Sequence, residues 1–264
     1  MKLNIFLISA GFFFLTIISL PAQAPNHQTP IGTNLPFLRS WGRDYPFTDA
    51  FKYSREWISQ CHNCGWHGGG PLMLDSLGWV TDFPEAHPDS AHFVQTMLMD
   101  GAFDKPTGTY HLLWEGEGEI HILGDIEEIR VIDDHHWEVD VKEGDFGFWF
   151  YIFSTDPNNT GDYIRNTRFI LPGYLETYET ELFHDRFLEV LKKYTAIRFM
   201  DWGETNFSPL ETWAQRTTPL HQTQSRDEGV SLEYMVALCN ELEADMWYCI
   251  PLPQTMNMCE KQPN

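Results

Sequence analysis

Between residues 91 and 153, apolar and polar residues alternate in short runs, and turn-forming pairs such as Asp-Gly and Gly-Asp separate these runs. Alternation with a period of two is typical of strands that bury one face. Short strands at this spacing predict an antiparallel β-sandwich, which we place at residues 71–172. The predicted strands cover residues 91–99, 109–114, 119–123, 127–132, 137–141 and 147–153.

Helical patterning appears on both sides of this block. Apolar residues recur at spacings of three and four over residues 231–243, where Ser231 can act as the N-cap. Helices are also predicted over residues 49–59, with Thr48 as the cap, and from about residue 181. The apolar stripe of the 231–243 helix consists of Leu232, Met235, Val236, Cys239 and Leu242.

Short apolar runs next to these helices predict buried strands at residues 31–38, 196–200 and 246–250. Helices that alternate with strands are typical of parallel α/β units. The predicted fold class is therefore α/β plus β, a partial (β/α) barrel with an inserted antiparallel β-sandwich. The predicted organisation is a signal peptide (1–24), a lead-in with the first barrel strand and helix (25–60), the β-sandwich (71–172), partial barrel strands and helices (175–251), and an irregular tail (252–264).

The N-terminal residues predict export. Lys2 is the only charge before an apolar run over residues 3–20, and Ala22-Gln23-Ala24 places small residues where a signal peptidase cleaves. A retained membrane anchor is the alternative, because the run approaches spanning length. The cleavage motif favours a secreted protein, extracellular or periplasmic, with no membrane association after cleavage.

Composition narrows the expected partners. The formal net charge is −21, and aromatic residues make up 15% of the chain. A surface of this sign repels phosphate backbones and acidic polysaccharides, so nucleic-acid binding is disfavoured. We expect a polysaccharide or oligosaccharide without charge as the partner.

The cysteines do not predict a metal site. Cys61 and Cys64 form a C-x-x-C motif and His67 is close by, but a structural zinc needs four ligands. A local disulfide or free thiols are the interpretations that remain, and neither a metal nor a cofactor is predicted. The odd total leaves the pairing open among Cys61, Cys64, Cys239, Cys249 and Cys259.

The polar segment after the strand at 196–200 predicts a ligand site. Residues 198–216 combine arginine, carboxylate, amide and tryptophan side chains. Such a mixture suits a sugar, because flat rings contact its C–H faces and polar groups bind its hydroxyls.

Short motifs, in their order along the chain, resemble the N-terminal part of large secreted bacterial proteins. Those proteins carry a barrel similar to that of the clan A glycoside hydrolases. The resemblance covers nearly all of the mature chain. It implies a catalytic glutamate pair located beyond Asn264, so the chain is expected to be truncated. The motifs include Gly32-Thr-Asn-Leu35, Phe47-Thr-Asp-Ala-Phe51, Leu77-Gly-Trp79, Ile164-Arg-Asn166, Pro172-Gly173, Phe199-Met-Asp-Trp202, Thr205-Asn206, Trp213-Ala-Gln-Arg216 and Gly229-Val-Ser-Leu-Glu233.

In such a barrel, ligand groups lie at the carboxyl ends of the strands. Trp202 is expected to stack on a sugar ring, while a structural alternative places Trp213 in the core and pairs Arg198 with Asp201. Glu204 is the glutamate nearest in sequence, but no catalytic residue is assigned. The predicted substrate-binding residues are Asn34, Asp201, Trp202, Asn206, Trp213 and Arg216.

Three functional hypotheses follow. The first is the N-terminal portion of a secreted, glycoside hydrolase-like protein that acts on or binds a neutral polysaccharide. The second is a non-catalytic carbohydrate-binding or surface-adhesion module. The third is a fragment without function. Whether the chain is an enzyme is left open.

Overall fold

The computed structural model describes residues 30–63, 65–83, 92–206 and 208–251 of the 264. The described residues from Ile31 onward belong to one compact unit. Strands hold 33% of the described residues and helices 12%. The strands are β1 (Gly32–Asn34), β2 (Ile58–Cys61), β3 (Met73–Leu74), β4 (Val80–Asp82), β5 (His92–Leu98), β6 (Gly108–Glu115), β7 (Gly118–Gly124), β8 (Ile126–Asp133), β9 (His136–Val141), β10 (Phe148–Thr155), β11 (Arg165–Ile170), β12 (Ala196–Arg198) and β13 (Asp245–Trp247).

Two four-stranded antiparallel sheets dominate the fold. One has the strand order β2-β5-β10-β7 and is called here the aromatic sheet, for the residues on its outer side. The other has the order β11-β6-β9-β8 and is called the charged sheet. The chain crosses between the two sheets several times, and at the crossing from β7 to β8 Asp125 is the single residue between the two strands.

The two sheets enclose an aromatic core. Phe148 and Phe150 of the aromatic sheet contact the ring of Phe169 in the charged sheet, with centroids 5.0 and 5.2 Å apart. Tyr110 of β6 stacks on Phe169 at 4.7 Å. All four side chains are fully buried. Because side chains alternate along β10, Trp149, Tyr151 and Phe153 face away from this core.

A smaller parallel sheet lies at the chain ends of the unit. Its order is β1-β12-β13, and Thr33 pairs with Ile197, which pairs with Met246. The helix α1 (Asp185–Leu191) precedes β12, and α2 (Leu232–Leu242) connects β12 to β13. The strands predicted at residues 31–38 and 196–200 therefore share a sheet as expected, although each has only three residues.

The predicted helix at 231–243 is confirmed. The Ser231 hydroxyl accepts a hydrogen bond from the backbone N–H of Tyr234, and the helix stops where Glu243 adopts a left-handed φ of 50°. Met235 and Cys239 are buried as the stripe predicts, but Val236 is 42% exposed. The buried face is therefore rotated slightly from the predicted one.

The α/β barrel assignment is wrong. The described residues contain two α-helices, and most strands belong to antiparallel sheets. The prediction treated the helix–strand alternation near both ends of the chain as the start of a barrel. In the structure, this alternation forms a parallel sheet of only three short strands. A partial (β/α) barrel, and with it a TIM-barrel description, does not fit this chain.

The helix predicted over residues 49–59 is also wrong. A 3-10 turn covers Ala50–Tyr53 and the strand β2 follows it. Asp49, not Thr48, caps the turn by accepting from the N–H of Phe51, while the Thr48 hydroxyl donates to the carbonyl of Glu181. The apolar residues of this segment are buried from a turn and a strand and not from one helical face.

Several predictions fall partly or wholly outside the described residues. These are the signal peptide at 1–24, the tail at 252–264, Cys64 and Cys259. Cys61 is disulfide-bonded, whereas Cys239 and Cys249 are free thiols. No helix in the described ranges is long and apolar enough to cross a bilayer.

Candidate functional site

The predicted site residues gather around the carboxyl ends of β1, β12 and β13. The segment after β12 turns back at Trp202, whose carbonyl accepts from the N–H of Val230 at 2.8 Å. Gly229 allows this approach, because it has a φ of 81° and a Cβ there would lie 2.7 Å from the Trp202 carbonyl oxygen. The loop that follows β12 is thereby fixed against the start of α2.

Asn34 and Asp201 form one fixed pair in this region. The Asn34 Nδ2 donates to Asp201 Oδ2 at 2.8 Å and to the carbonyl of Leu35 at 3.0 Å. Both amide hydrogens of Asn34 are therefore used within the protein. The pair ties the loop after β12 to the end of β1, and it leaves the Asn34 Oδ1 as a further acceptor.

Trp202 lies in the core. It is 3% exposed, and its ring is nearly parallel to that of Phe187 at a centroid distance of 6.1 Å. Phe47 and Phe199 contact other parts of the ring at 6.0 and 5.8 Å. Neither face of Trp202 is open to a sugar, so its role is to anchor the loop.

Glu204 is held in an ion pair. Its carboxylate lies 2.5 Å from the Arg39 Nη1, and the residue is 6% exposed with a left-handed φ of 47°. The N–O distance defines a close ion pair although the same Glu204 oxygen has no well-aligned hydrogen bond. A carboxylate engaged in this way is not free to act as a general base.

A cavity of about 380 Å³ opens beside this loop. Trp213 and Arg216 line it, as do Glu211, Glu228 and Tyr248. Apolar side chains from α2 and from the segment after β13 form its floor. This cavity brings together two of the predicted residues, and we call it the Trp213 pocket.

Trp213 and Arg216 pack against each other at the pocket. The indole is 65% exposed, and the Arg216 guanidinium lies 4.3 Å from its ring centroid. Arg216 Nη2 also donates to Glu233 Oε1 at 2.8 Å, which ties Arg216 to α2. The 3-10 turn that carries Trp213 is held by the Gln215 side chain, which accepts from the N–H groups of Glu211 and Thr212. The exposed ring is therefore positioned before any ligand arrives.

A neighbouring cavity of about 440 Å³ shares Arg216 and Glu228 with the Trp213 pocket and adds His221. Glu228 accepts from the Arg226 Nε at 3.1 Å. Burial, and then the charge of Arg226, lowers the pKa of His221, whose Nδ1 accepts from the N–H of Thr218 at 3.0 Å. The two cavities together form a groove with both charges and hydrogen-bonding groups.

The remaining predicted residue, Asn206, is exposed on the loop and is not part of the lining of either cavity. Glu228 and Tyr248 were not among the residues predicted from the sequence. Tyr248 directly follows β13 and could have been found from the rule that placed the others. Glu228 lies in a polar segment, and nothing in the sequence of that segment indicates that it folds against the loop after β12.

Asp49 and Lys52 flank another cavity of about 240 Å³. Burial raises the pKa of Asp49 and lowers the pKa of Lys52. Asp49 accepts from the N–H groups of Phe51 and Phe169, and Lys52 donates to the carbonyl of Pro219 at 2.8 Å. These bonds join the 3-10 turn to β11 and to the segment before α2, which is a structural explanation for the pair.

No known protein family, curated protein or solved structure matches this chain. Within the described ranges, no group of three or more His, Cys, Asp or Glu side chains is arranged to hold a metal ion. The chemistry of the Trp213 pocket therefore has to be inferred from its own residues.

Proposed function

We propose that the chain is a secreted carbohydrate-binding protein and that the Trp213 pocket takes an uncharged oligosaccharide. The observation that carries the proposal is the exposed, pre-positioned indole of Trp213 with Arg216 against its ring. Aromatic rings offer large contact areas to the apolar faces of sugars, and nearby polar groups fix the orientation of the hydroxyls.

The charges favour a neutral sugar. Arg216 is paired with Glu233, and Arg226 is paired with Glu228, so the charge of each cation is already balanced by a carboxylate. The net charge of −21 adds a general repulsion of acidic ligands. The predicted secretion signal at residues 1–24 is consistent with an extracellular polysaccharide source.

The proposal is binding without cleavage. Glycoside hydrolysis requires two carboxyl groups that flank the scissile bond. Glu211 and Glu228 line the Trp213 pocket, but Glu228 is paired with Arg226, which leaves Glu211 without a second unpaired carboxylate in the lining. Glu204, the glutamate nearest in sequence to the predicted site, is paired with Arg39. We assign no catalytic residue.

Calorimetric titration with cellohexaose and xylohexaose tests the proposal. We expect Trp213→Ala to weaken binding about tenfold, because a lost stacking contact is worth roughly 1–1.5 kcal/mol. Trp41→Ala is a matched control, since Trp41 is 53% exposed and also carries an arginine, Arg55, 5.4 Å from its ring centroid.

Two results would contradict the proposal. One is equal binding by the Trp213→Ala and Trp41→Ala variants. The other is tighter binding of hexagalacturonate than of either neutral sugar. Release of reducing ends, measured in the same samples, would contradict the claim that binding occurs without cleavage.

A further inference from the structure

The outer side of the aromatic sheet carries a row of aromatic side chains that lies outside the Trp213 pocket. Trp149, Tyr151 and Phe153 follow one another at every second position of β10, facing away from the sandwich core. Phe153 is 41% exposed, and the other two are half-buried. Successive members of the row are separated by about 7 Å along the strand, since each residue advances by about 3.4 Å.

Rings from the adjacent strands widen one end of the row. Phe93 of β5 lies 5.7 Å from Tyr151 and 5.6 Å from Phe153, measured between ring centroids. Tyr151 and Phe153 are nearly parallel, at 6.1 Å and 19°. His121 of β7 meets Phe153 edge-on at 5.0 Å, and its Nε2 hydrogen-bonds to Glu119 at 2.8 Å. This end combines flat apolar area with polar atoms at its rim.

The other end of the row is built around Trp149. Trp66, from the loop after β2, packs its edge against Trp149 at 6.0 Å, and Phe146 lies at 6.1 Å. Trp66 is 57% exposed and Phe146 is 56% exposed. Leu123, which pairs with Trp149 across the sheet, is 58% exposed. The aromatic surface is thus continuous along β10 and exposes apolar area at both ends.

Exposed apolar side chains at both ends of one row of rings indicate a binding site. Its charge restricts what can cover it. Among the outward-facing described residues of β5, β7 and β10, Glu119 is the only acidic one, and Arg and Lys are absent. The chain as a whole carries −21, so a second copy, an acidic protein or an anionic membrane would be repelled on approach. An uncharged ligand meets no such repulsion.

The shape of the surface restricts the ligand further. The rings form a long row along β10, in which Tyr151 and Phe153 are nearly parallel. A linear sugar chain presents a flat apolar face on each ring and hydroxyls around its edge, which match stacked aromatic rings with polar atoms at the rim.

We propose that the outer side of the aromatic sheet, from Trp66 and Phe146 to Phe153 and His121, is a second site that binds an extended, uncharged polysaccharide. The inference rests on the proposed function only in sharing the ligand class, because it uses no residue of the Trp213 pocket. The pocket holds a short segment of a sugar chain, and the aromatic row holds the protein against a longer or insoluble one.

Co-sedimentation with insoluble cellulose and insoluble xylan tests this second site. We expect Phe153→Ala to lower the partition constant about fivefold, and Phe153→Tyr, which keeps the ring, to retain it. Phe103→Ala is the matched control, since Phe103 is an exposed phenylalanine outside both sheets. Circular dichroism and the urea midpoint establish that each variant is folded.

The outcomes separate this proposal from the previous one. Sedimentation that depends on Phe153 but not on Trp213 supports the second site, whether or not soluble hexasaccharides bind. Sedimentation that is lost in Trp213→Ala and kept in Phe153→Ala contradicts it and leaves the pocket intact. Absence of sedimentation with either polysaccharide overturns it. So does a wild-type dimer in analytical ultracentrifugation that Phe153→Ala dissociates, because a second copy would then be the occupant.

Discussion

The outer sides of the two antiparallel sheets differ in chemistry although they share one architecture. The charged sheet is centred on Arg130, which bonds to Glu128 and Glu138 at 3.0 Å and to both carboxylate oxygens of Asp140. His111 and His136 form a neighbouring pair at 3.0 Å. The aromatic sheet presents a row of rings in the equivalent position.

The outer sides of the charged sheet and the aromatic sheet differ in whether their side chains are stabilised within the protein or need a ligand. The ions of the charged sheet satisfy one another across adjacent strands, so that side is complete in water. The hydrogen bonds from Arg130 and Thr109 lower the pKa of Asp140 to about 2, which keeps it ionised at any physiological pH. The rings of the aromatic sheet have no such internal compensation, and their exposed area is removed from water only when a ligand covers it.

The largest expected effect concerns the corner between β7 and β8, where the chain crosses from one sheet to the other at Asp125. Lys105 is 4% exposed, and its Nζ donates to Asp125 Oδ2 at 2.5 Å and to the carbonyls of Ala102 and Gly144. We expect Lys105→Met to cost about 3 kcal/mol in the free energy of unfolding, because it leaves a largely buried carboxylate unpaired. Urea unfolding measures this cost.

A control variant sharpens that experiment. Asp125→Asn/Lys105→Met removes both charges and should recover part of the loss. Two separate unfolding transitions in Lys105→Met would show that the sheets are independent, whereas we expect one. Equal stability of Lys105→Met and wild type would mean that the corner contributes nothing.

Acid should also act at this corner. Burial opposes ionisation of Asp125, but the hydrogen bonds from Lys105 and the N–H of Gly147 outweigh it, so its pKa is lowered. A carboxyl with a lowered folded-state pKa stabilises the protein above its unfolded value, about 3.9, and this contribution is lost as the pH falls through the folded value. Lys105→Met should therefore lose less stability than wild type between pH 5 and pH 2.

A smaller effect distinguishes the two outer sides near neutral pH. Burial, and then the proximity of His136, lowers the pKa of His111, although Glu138 partly opposes the shift and Arg130 adds to it. The folded state therefore binds this proton less readily than the unfolded state, whose value is about 6.5. The contribution of the neutral His111 to stability is therefore present above the unfolded-state pKa and is lost as the pH falls below it.

Urea midpoints at pH 7 and pH 5 test the role of this histidine. His111→Gln should lose less stability over this interval than wild type does. Phe153→Ala, on the aromatic sheet, should lose as much as wild type. An identical loss of stability in wild type and His111→Gln would show that this histidine of the charged sheet does not contribute to the acid response.

The antiparallel strands could be predicted from sequence because their signal is local. All six strands predicted between residues 91 and 153 are present, with boundaries that differ by no more than two residues. Alternation with turn residues specifies such strands without reference to the rest of the chain. The strand β11 was missed, because a register shift between Arg165 and Arg168 interrupts its alternation.

The site was less predictable, because burial depends on distant packing. Trp202 and Trp213 are both tryptophans of one polar segment, yet one is 3% and the other 65% exposed. The rings of Phe47 and Phe187 cover Trp202, and neither residue is near it in sequence. The barrel assignment failed for a related reason, since three short parallel strands carry the same local pattern as the start of a larger barrel.

NMR titration of the folded protein with cellohexaose or xylohexaose tests whether sugar binds at Trp213 and at the aromatic sheet but not at the charged sheet. Three reporters distinguish the surfaces: the indole N–H of Trp213, the amide of Phe153 and the amide of Arg130. We expect the resonances of Trp213 and Phe153 to shift with saturating sugar and that of Arg130 to stay unchanged. Shifts at Arg130 equal to those at Phe153, or no shift at Trp213, would contradict this expectation.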